Sequence, residues 1–352
     1  MPHGSVYSGP VCGGITKGTG MKCVGCVKET EIPPAEIHKD PFTRTEYSIY
    51  KCPSCGVIFS LPAQAPDASW YKEYAPDRPA RFSLKLNWGQ KWFAKHRFKT
   101  VKSVLDIGCG CGAFLYRAAQ AGCRTAGIDF DERALSYARQ LGIDTAECVS
   151  FDDFFDKNKG NAFDAVTMFE VLEHVPDPDS FIRKVRDLLS ENGVIALTLP
   201  NYARPLRSSI QDFDFPPHHF TRWTKESLSG FLNSHGFRPV LVRDSHLDYS
   251  YINDTIFFWL ISKVIKPVKK MIFRKSSDWE SSKVPFDRLA GSAAKKNTLL
   301  SILTRNNRKI LVTAMKLSFS AIFFAPILAL WIVLRLAGRG NSIFAVAGKI
   351  HL

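Results

Sequence analysis

No apolar stretch opens this chain. Residues 1–20 are polar and glycine-rich, too poor in apolar side chains for a secretory signal or a helix. They read as a disordered leader ahead of Met21, where organised motifs begin. Without a secretory signal the nine cysteines do not read as a disulfide framework, and the cytoplasm is the default compartment. Nor is the chain poor enough in apolar residues to stay unfolded: 45% are hydrophobic and 23% charged, an ordinary folding composition. Acids are in short supply, 33 against 47 Lys and Arg, which leaves a formal net charge of +14. The shortage is local, because Lys263–Lys309 holds 13 Lys and Arg and three acids, a surplus of ten. Charge is missing altogether from the 18 residues Leu317–Leu334, bounded by Lys316 and Arg335. As a helix that run would measure about 27 Å, at the lower limit for crossing a bilayer.

Four of the cysteines are paired in sequence. Cys23-x-x-Cys26 and Cys52-x-x-Cys55 stand 25 residues apart, with a strand-like Tyr47–Lys51 before the second pair and Gly56 after it. Each pair can grip an ion from one tight turn, and four thiolates complete a tetrahedron. A zinc ribbon over 21–60 is the expected structure, with structural zinc held by Cys23, Cys26, Cys52 and Cys55. Residues 61–100 read as a Pro-rich linker and then a helix near Ser83–Arg97, carrying Trp70, Tyr71, Tyr74, Trp88 and Trp92. Such aromatics pack one unit against another or stack on bases, and packing is the commoner use.

From Val101 the pattern becomes α/β. Apolar strands are expected at 102–107, 124–129, 163–169 and 193–199, and amphipathic helices at 112–121, 131–140, 179–189 and 224–235. Val194–Leu199 is apolar on both faces, as a buried parallel strand must be. The alternation predicts a doubly wound, Rossmann-like sheet with its ligand at the carboxyl ends of the strands. A further strand is expected at 238–248 and a last one at 341–349. If both lie in one sheet, the intervening 249–339 must return to the side it left, which disfavours a single crossing. Two apolar stretches, Ile256–Ile261 and 317–334, flank the basic run. They suggest a monotopic or peripheral attachment, with Lys and Arg on anionic head groups and Pro326 kinking the second stretch.

The chemistry-bearing residues gather at three strand ends. Val104–Ile107 breaks into Gly108-Cys109-Gly110-Cys111-Gly112 and then enters a helix, a turn that approaches a nucleotide-like ligand closely. Alone it also satisfies a loose dinucleotide pattern. Asp106 stands two residues before the first glycine, and Asp129, followed by Phe130, ends the next strand where its carboxylate can accept both hydroxyls of a ribose. The strand at 163–169 runs into Glu170-Val171-Leu172-Glu173-His174, and Pro216-Pro217-His218-His219 follows later.

With these residues assembled, the chain resembles the class I S-adenosylmethionine-dependent methyltransferases over about 101–248 plus the last strand. In its E-x-x-E-H block it is similar to O-methyltransferases of ubiquinone synthesis and to small-RNA 2′-O-methyltransferases. The resemblance implies a seven-stranded sheet and S-adenosylmethionine as cofactor. Asp106, Gly108, Gly110, Gly112, Asp129 and Phe130 would bind it, with adenine contacts near Cys148–Asp152. It also implies that Glu170, Glu173 and His174, with His218 or His219, hold a divalent ion such as magnesium that positions an accepting hydroxyl, or that a histidine takes its proton. Plainer readings stay beside these: Asp106 and Asp129 as turn caps, and Glu173-His174 as a helix start closing the cofactor pocket. The expected acceptor is a small molecule, glycan or lipid-linked compound methylated on oxygen at the cytoplasmic membrane surface. The alternatives are an RNA methyltransferase, which would use the ribbon and basic run on nucleic acid, an NAD(P) oxidoreductase, and a non-catalytic interaction module. No hydride-transfer site is evident after the fourth strand, which weighs against the oxidoreductase.

Overall fold

The computed structural model describes residues 21–40, 43–63, 84–143, 145–206, 214–245, 247, 249–260 and 318–350. The leader, Trp70, Tyr71, Tyr74 and the basic run 263–309 lie outside the described residues.

Near the N-terminus, β1 (Met21–Lys22) pairs with β2 (Glu29–Thr30), and β3 (Glu36–Lys39), β4 (Glu46–Lys51) and β5 (Ile58–Leu61) form an antiparallel sheet. Helix α1 spans Trp88–Arg97 and is shorter than expected because Asn87 caps it, accepting from the Gln90 amide while Gln90 caps in return. Trp88 and Trp92 pack on Phe344, with ring centroids 5.5 and 5.4 Å apart, so these two aromatics fasten α1 to the sheet.

The core follows as β6 (Ser103–Ile107), α2 (Ala113–Gln120), β7 (Arg124–Ile128), α3 (Glu132–Gln140), β8 (Ala146–Glu147), α4 (Phe151–Lys157) and β9 (Phe163–Phe169). After a 3-10 turn at Leu172–His174 come α5 (Pro178–Asp187), β10 (Leu189–Pro200), β11 (Thr221–Arg222), α6 (Lys225–Ser234) and β12 (Phe237–Asp244). The chain closes with α7 (Tyr249–Leu260), α8 (Phe324–Leu336) and β13 (Ser342–Lys349). Seven strands form one sheet in the order β12-β13-β10-β9-β6-β7-β8. Pairing is parallel from β10 through β8, while β13 runs antiparallel between β10 and β12. Both strands flanking the 249–339 segment therefore lie in the same sheet, which meets the condition that disfavours a single crossing.

Side-chain alternation divides the core. Leu105, Ile107, Val166, Met168, Ile195 and Leu197 join Phe151, Phe181, Phe231 and Trp223 on one face. Val104, Ala165 and Ala196 join Phe93, Phe114, Leu115 and Leu135 on the other. Strands buried on both faces must be apolar throughout, which is why they could be read. The chain leaves β6 for β7 and β8 on one side and returns to β9 on the other, so the switch point opens between β6 and β9.

The apolar run at 317–334 does not form one continuous helix. Residues 318–322 are helical, a turn falls at Phe323, and α8 begins at Phe324 with Pro326 in its first turn, where the missing N–H costs nothing. Helices α7 and α8 share an apolar cluster of Leu247, Ile252, Phe257, Phe319 and Ile327. The Trp331 indole donates to Leu247 O at 2.7 Å. No helix among the described residues is long and apolar enough to cross a membrane.

Candidate active site and cysteine cluster

The glycine turn lies at the carboxyl end of β6. Gly108, Gly110 and Gly112 all have positive φ, at 73°, 54° and 75°, a region that costs other L-residues about 1 kcal/mol or more. Their surroundings differ. A Cβ on Gly108 would stand 2.7 Å from Val171 and one on Gly112 2.7 Å from Ala138, whereas one on Gly110 would meet nothing within 4 Å. Gly110 therefore faces open space, a cradle into which a side chain would intrude. Gly108 and Gly112 serve close packing. No side chain caps the N-terminus of α2. The turn thus presents backbone at short range to any ligand at the carboxyl end of β6.

Asp129 holds the turn in place. Its Oδ2 accepts from the Gly110 amide at 2.8 Å and its Oδ1 from the Asp131 amide at 2.9 Å. A carboxylate has about four acceptor positions, so these backbone bonds leave room for a ribose hydroxyl. Asp106 is placed differently. It is 2% exposed and accepts from the Thr167 hydroxyl at 2.6 Å. Burial is the main reason its carboxyl is pushed up to about 7; the Thr167 hydrogen bond opposes the shift and the charge of Asp129 adds to it. Phe130 is 59% exposed, and its carbonyl accepts from the Cys148 thiol at 3.7 Å, so strand end and adenine-side segment meet there. Within Cys148–Asp152, Ser150 caps α4 and Asp152 pairs with Lys184 at 2.6 Å.

Glu170, at the carboxyl end of β9, has φ of 58°, a strained setting for a non-glycine residue. Glu170 keeps exposed surface, yet the protein packed around its carboxyl desolvates it and raises its pKa. Glu173 is 1% exposed; burial and then the charge of Glu170 push its carboxyl well above the usual range. The His174 Nδ1 lies 2.6 Å from His218 O. A carbonyl only accepts, so Nδ1 carries the proton and Nε2 keeps its lone pair. The His174 ring stands edge-on to His218 and His219, with centroids at 4.7 and 4.8 Å, and the last two stack on each other. Burial, and then the neighbouring imidazoles, holds His219 well below its ordinary pKa.

The residues gathered here differ from the expected ion site. One ligand atom each from His174, His218 and His219 lie within 4.8 Å of one another, and neither carboxylate joins that set among the described residues. Glu173 Oε1 is 3.9 Å from His174 Nε2. Nitrogen donors suit a borderline transition ion better than magnesium, which asks for oxygen.

Behind the histidines is a group that sequence analysis missed. Arg204 pairs with Asp214, and Arg222 Nε donates to Asp214 O at 2.6 Å. With Glu173, Tyr202 and His219 they line one small polar cavity. The only signal was Thr221-Arg222-Trp223, an alternating triplet too short to read as a strand.

The four cysteines meet as expected. Cys23 Sγ lies 3.5 Å from Cys55 Sγ, and Cys26 Sγ 3.7 Å from Cys52 Sγ. Zinc–sulfur bonds of about 2.3 Å in a tetrahedron place the sulfurs about 3.8 Å apart, so the cluster fits the ion. The Gly25 amide donates to Cys23 Sγ at 3.3 Å, as amides do to a metal-bound thiolate.

Residues 71–242 match the family described as a methyltransferase domain. The ubiquinone biosynthesis O-methyltransferase of Chromobacterium violaceum is 31% identical over 154 residues, covering 40% of this chain and 66% of that protein. That of Ralstonia nicotianae is 27% identical over 179 residues, covering 46% of this chain and 75% of that protein. The chain thus spans about two thirds to three quarters of the length of these two relatives. A crystal structure of a SAM-dependent methyltransferase from Archaeoglobus fulgidus is 16% identical, covers 74% of this chain and 92% of its own, and has a TM-score of 0.43. The chain belongs to the class I S-adenosylmethionine-dependent methyltransferases.

Proposed function

We propose that this chain transfers the methyl group of S-adenosylmethionine to an oxygen atom of a small-molecule or lipid-linked acceptor. The observation that carries this reading is His174, whose Nδ1–H is committed to His218 O at 2.6 Å, leaving a basic Nε2 at the end of the strand beside the glycine turn. Bound S-adenosylmethionine supplies a methyl group already activated on a sulfonium. The protein's task is alignment, water exclusion and proton removal. As the acceptor oxygen bonds to the methyl carbon and the carbon–sulfur bond breaks, His174 Nε2 takes the hydroxyl proton, leaving S-adenosylhomocysteine and a methyl ether. Gly108, Gly110, Gly112, Asp129 and Phe130 bind the donor in this reading, and Glu170, Glu173, His218 and His219 border the acceptor. His174→Ala and Glu170→Ala test it: each should cut transfer by about 10²–10⁴-fold with S-adenosylhomocysteine binding retained. Lost binding in both variants would leave those residues lining the cofactor pocket and refute the proton role.

The similarity to ubiquinone biosynthesis O-methyltransferases supports a small-molecule acceptor methylated on oxygen. A second observation favours attachment to a membrane surface. Trp259, Ile322, Phe323, Phe324, Ile332, Val333 and Leu336 are exposed on the α7–α8 unit, Leu336 at 83%, and the basic run lies between the two helices in sequence. Exposure of large apolar side chains next to a basic run in sequence supports an interaction surface. Flotation with anionic vesicles should exceed that of a variant lacking 251–338, and equal flotation would reject the attachment. Steeply salt-dependent RNA binding would instead favour an RNA acceptor.

A further inference from the structure

The cysteine ribbon and the histidine segment are one structure. Strand β11 belongs by sequence to the methyltransferase core, yet it pairs with β5 of the ribbon, Thr221 opposite Phe59 and Arg222 opposite Ile58, as the fourth strand of the ribbon's sheet. The Ser60 amide extends the ladder by donating to Phe220 O at 3.0 Å, and the Phe220 amide donates to Glu173 O at 2.8 Å. Residue 220 thus bridges the ribbon to the turn that bears Glu173 and His174.

Side chains make a second connection. His38, on β3, stacks on Phe215 with centroids 4.5 Å apart. The carbonyl of Phe215 accepts from the amides of His218 and His219 at 3.1 and 3.2 Å. Arg222 lies over the other side of the link, 4.9 Å from the Phe215 ring centroid, with Nη1 3.4 Å from Ser60 Oγ. Arg222 is 7% exposed and its Nη2 has no hydrogen-bond partner, although it lines the same cavity as Glu173, whose carboxylate oxygens are also unpartnered. Both ends of that cavity are therefore held, one by the ribbon and one by the 3-10 turn.

The cysteine cluster sits at the root of this ladder. The Cys52 amide donates to Val57 O at 2.9 Å and the Gly56 amide to Cys52 O at 3.0 Å, so the second cysteine knuckle fixes where β5 begins. Val57 then enters the methyltransferase core with Trp223 and Leu228. The residue just before β5 is thus placed from both sides, by the knuckle and by the core.

The geometry points to a role for the ribbon in the reaction: metal bound at Cys23, Cys26, Cys52 and Cys55 clamps the 214–223 segment, so that His38, Ser60 and Arg222 act as positioning residues for His218 and His219 against His174 and Glu173. This rests on the reading of those histidines as the acceptor side. The cofactor turn is held separately, by Asp129 and by Ile128 O, which accepts from Gly108 and Cys109 at 2.8 and 3.1 Å. Loss of ribbon metal should therefore loosen the acceptor side and spare the donor side.

Two variants of the full chain test this by amide exchange, metal content and S-adenosylhomocysteine calorimetry. Cys26→Ser should lose its zinc, raise exchange in 214–223 by about tenfold or more, and hold S-adenosylhomocysteine within about threefold of the wild type. His38→Ala/Ser60→Ala should keep its zinc, yet raise exchange in the same segment and lower kcat without raising the KM for S-adenosylmethionine. Exchange in 214–223 within about twofold of the wild type in zinc-free Cys26→Ser would overturn the proposal, since the segment would then be ordered without the ribbon. So would loss of S-adenosylhomocysteine binding in both variants, which would make the ribbon a support for the whole domain. The exchange readout involves no methyl transfer, so it stands even if no acceptor oxygen is ever methylated.

Discussion

Replacing Asp106 with Asn should change how stability depends on pH. Asp106 is 2% exposed at the end of β6 and is held by the Thr167 hydroxyl at 2.6 Å. Burial raises its carboxyl from 3.8 to about 7. Between those values the folded chain keeps a proton that the unfolded chain has released. The contribution of this group to stability is therefore complete below pH 4 and is lost as pH rises towards 7. At about 1.4 kcal/mol per unit, the loss across the window is about 4 kcal/mol. Asn has nearly the same shape, can accept from Thr167 through its amide oxygen and does not titrate. Urea unfolding of both proteins from pH 4.5 to pH 8 would measure it. The stability of Asp106→Asn relative to the wild type should climb by about 1.4 kcal/mol per pH unit below about pH 6 and flatten above about pH 7. A difference that stays constant with pH would refute the burial argument, because it would mean that Asp106 ionises as freely when folded as when unfolded.

Gly110→Ala should lower affinity for S-adenosylhomocysteine by about tenfold or more while costing about 1 kcal/mol of stability, because its Cβ enters open space at positive φ. Gly108→Ala should cost more stability, since its Cβ would meet Val171 at 2.7 Å; thermal melts beside calorimetry separate the two, and equal melting losses would refute the distinction. Val333→Glu/Leu336→Glu should weaken flotation with anionic vesicles without changing S-adenosylhomocysteine affinity, because both side chains are exposed on α8, away from the core clusters. Unchanged flotation would remove that face from the attachment surface.

Much of the sheet was legible because its strands are buried on both faces. Ser103–Ile107 and Phe163–Phe169 lie where apolar runs predicted them, and the 3.6-residue pattern found α2, α3, α5 and α6 within two residues. Strand β8, only Ala146–Glu147, left too little pattern to read. Helix α1 begins at Trp88, and its Asn87-x-x-Gln90 capping box was present in the sequence to say so.

The candidate site divides along the same line. Cysteine spacing and the three glycines identify their chemistry locally, because each motif folds within a few residues of itself. The roles of the acids do not follow from spacing. Asp106 is buried against the Thr167 hydroxyl and Asp129 accepts from the Gly110 amide, a difference set by which neighbouring segment each carboxylate meets. The histidines come together because the 3-10 turn after β9 meets the segment before β11, more than 40 residues later.

By itself the sequence determined a paired cysteine set, a doubly wound sheet and a glycine turn at a strand end, since these depend on periodicity and on neighbours close along the chain. Only the tertiary structure decided that β11 joins the ribbon sheet, that β13 inserts between β10 and β12, and that three imidazoles meet, with Glu173 within 3.9 Å of His174 and Asp214 within 3.8 Å of His219. Those outcomes depend on hydrogen bonds and packing between residues as far apart as Ile58 and Arg222, whose pairing no local pattern encodes.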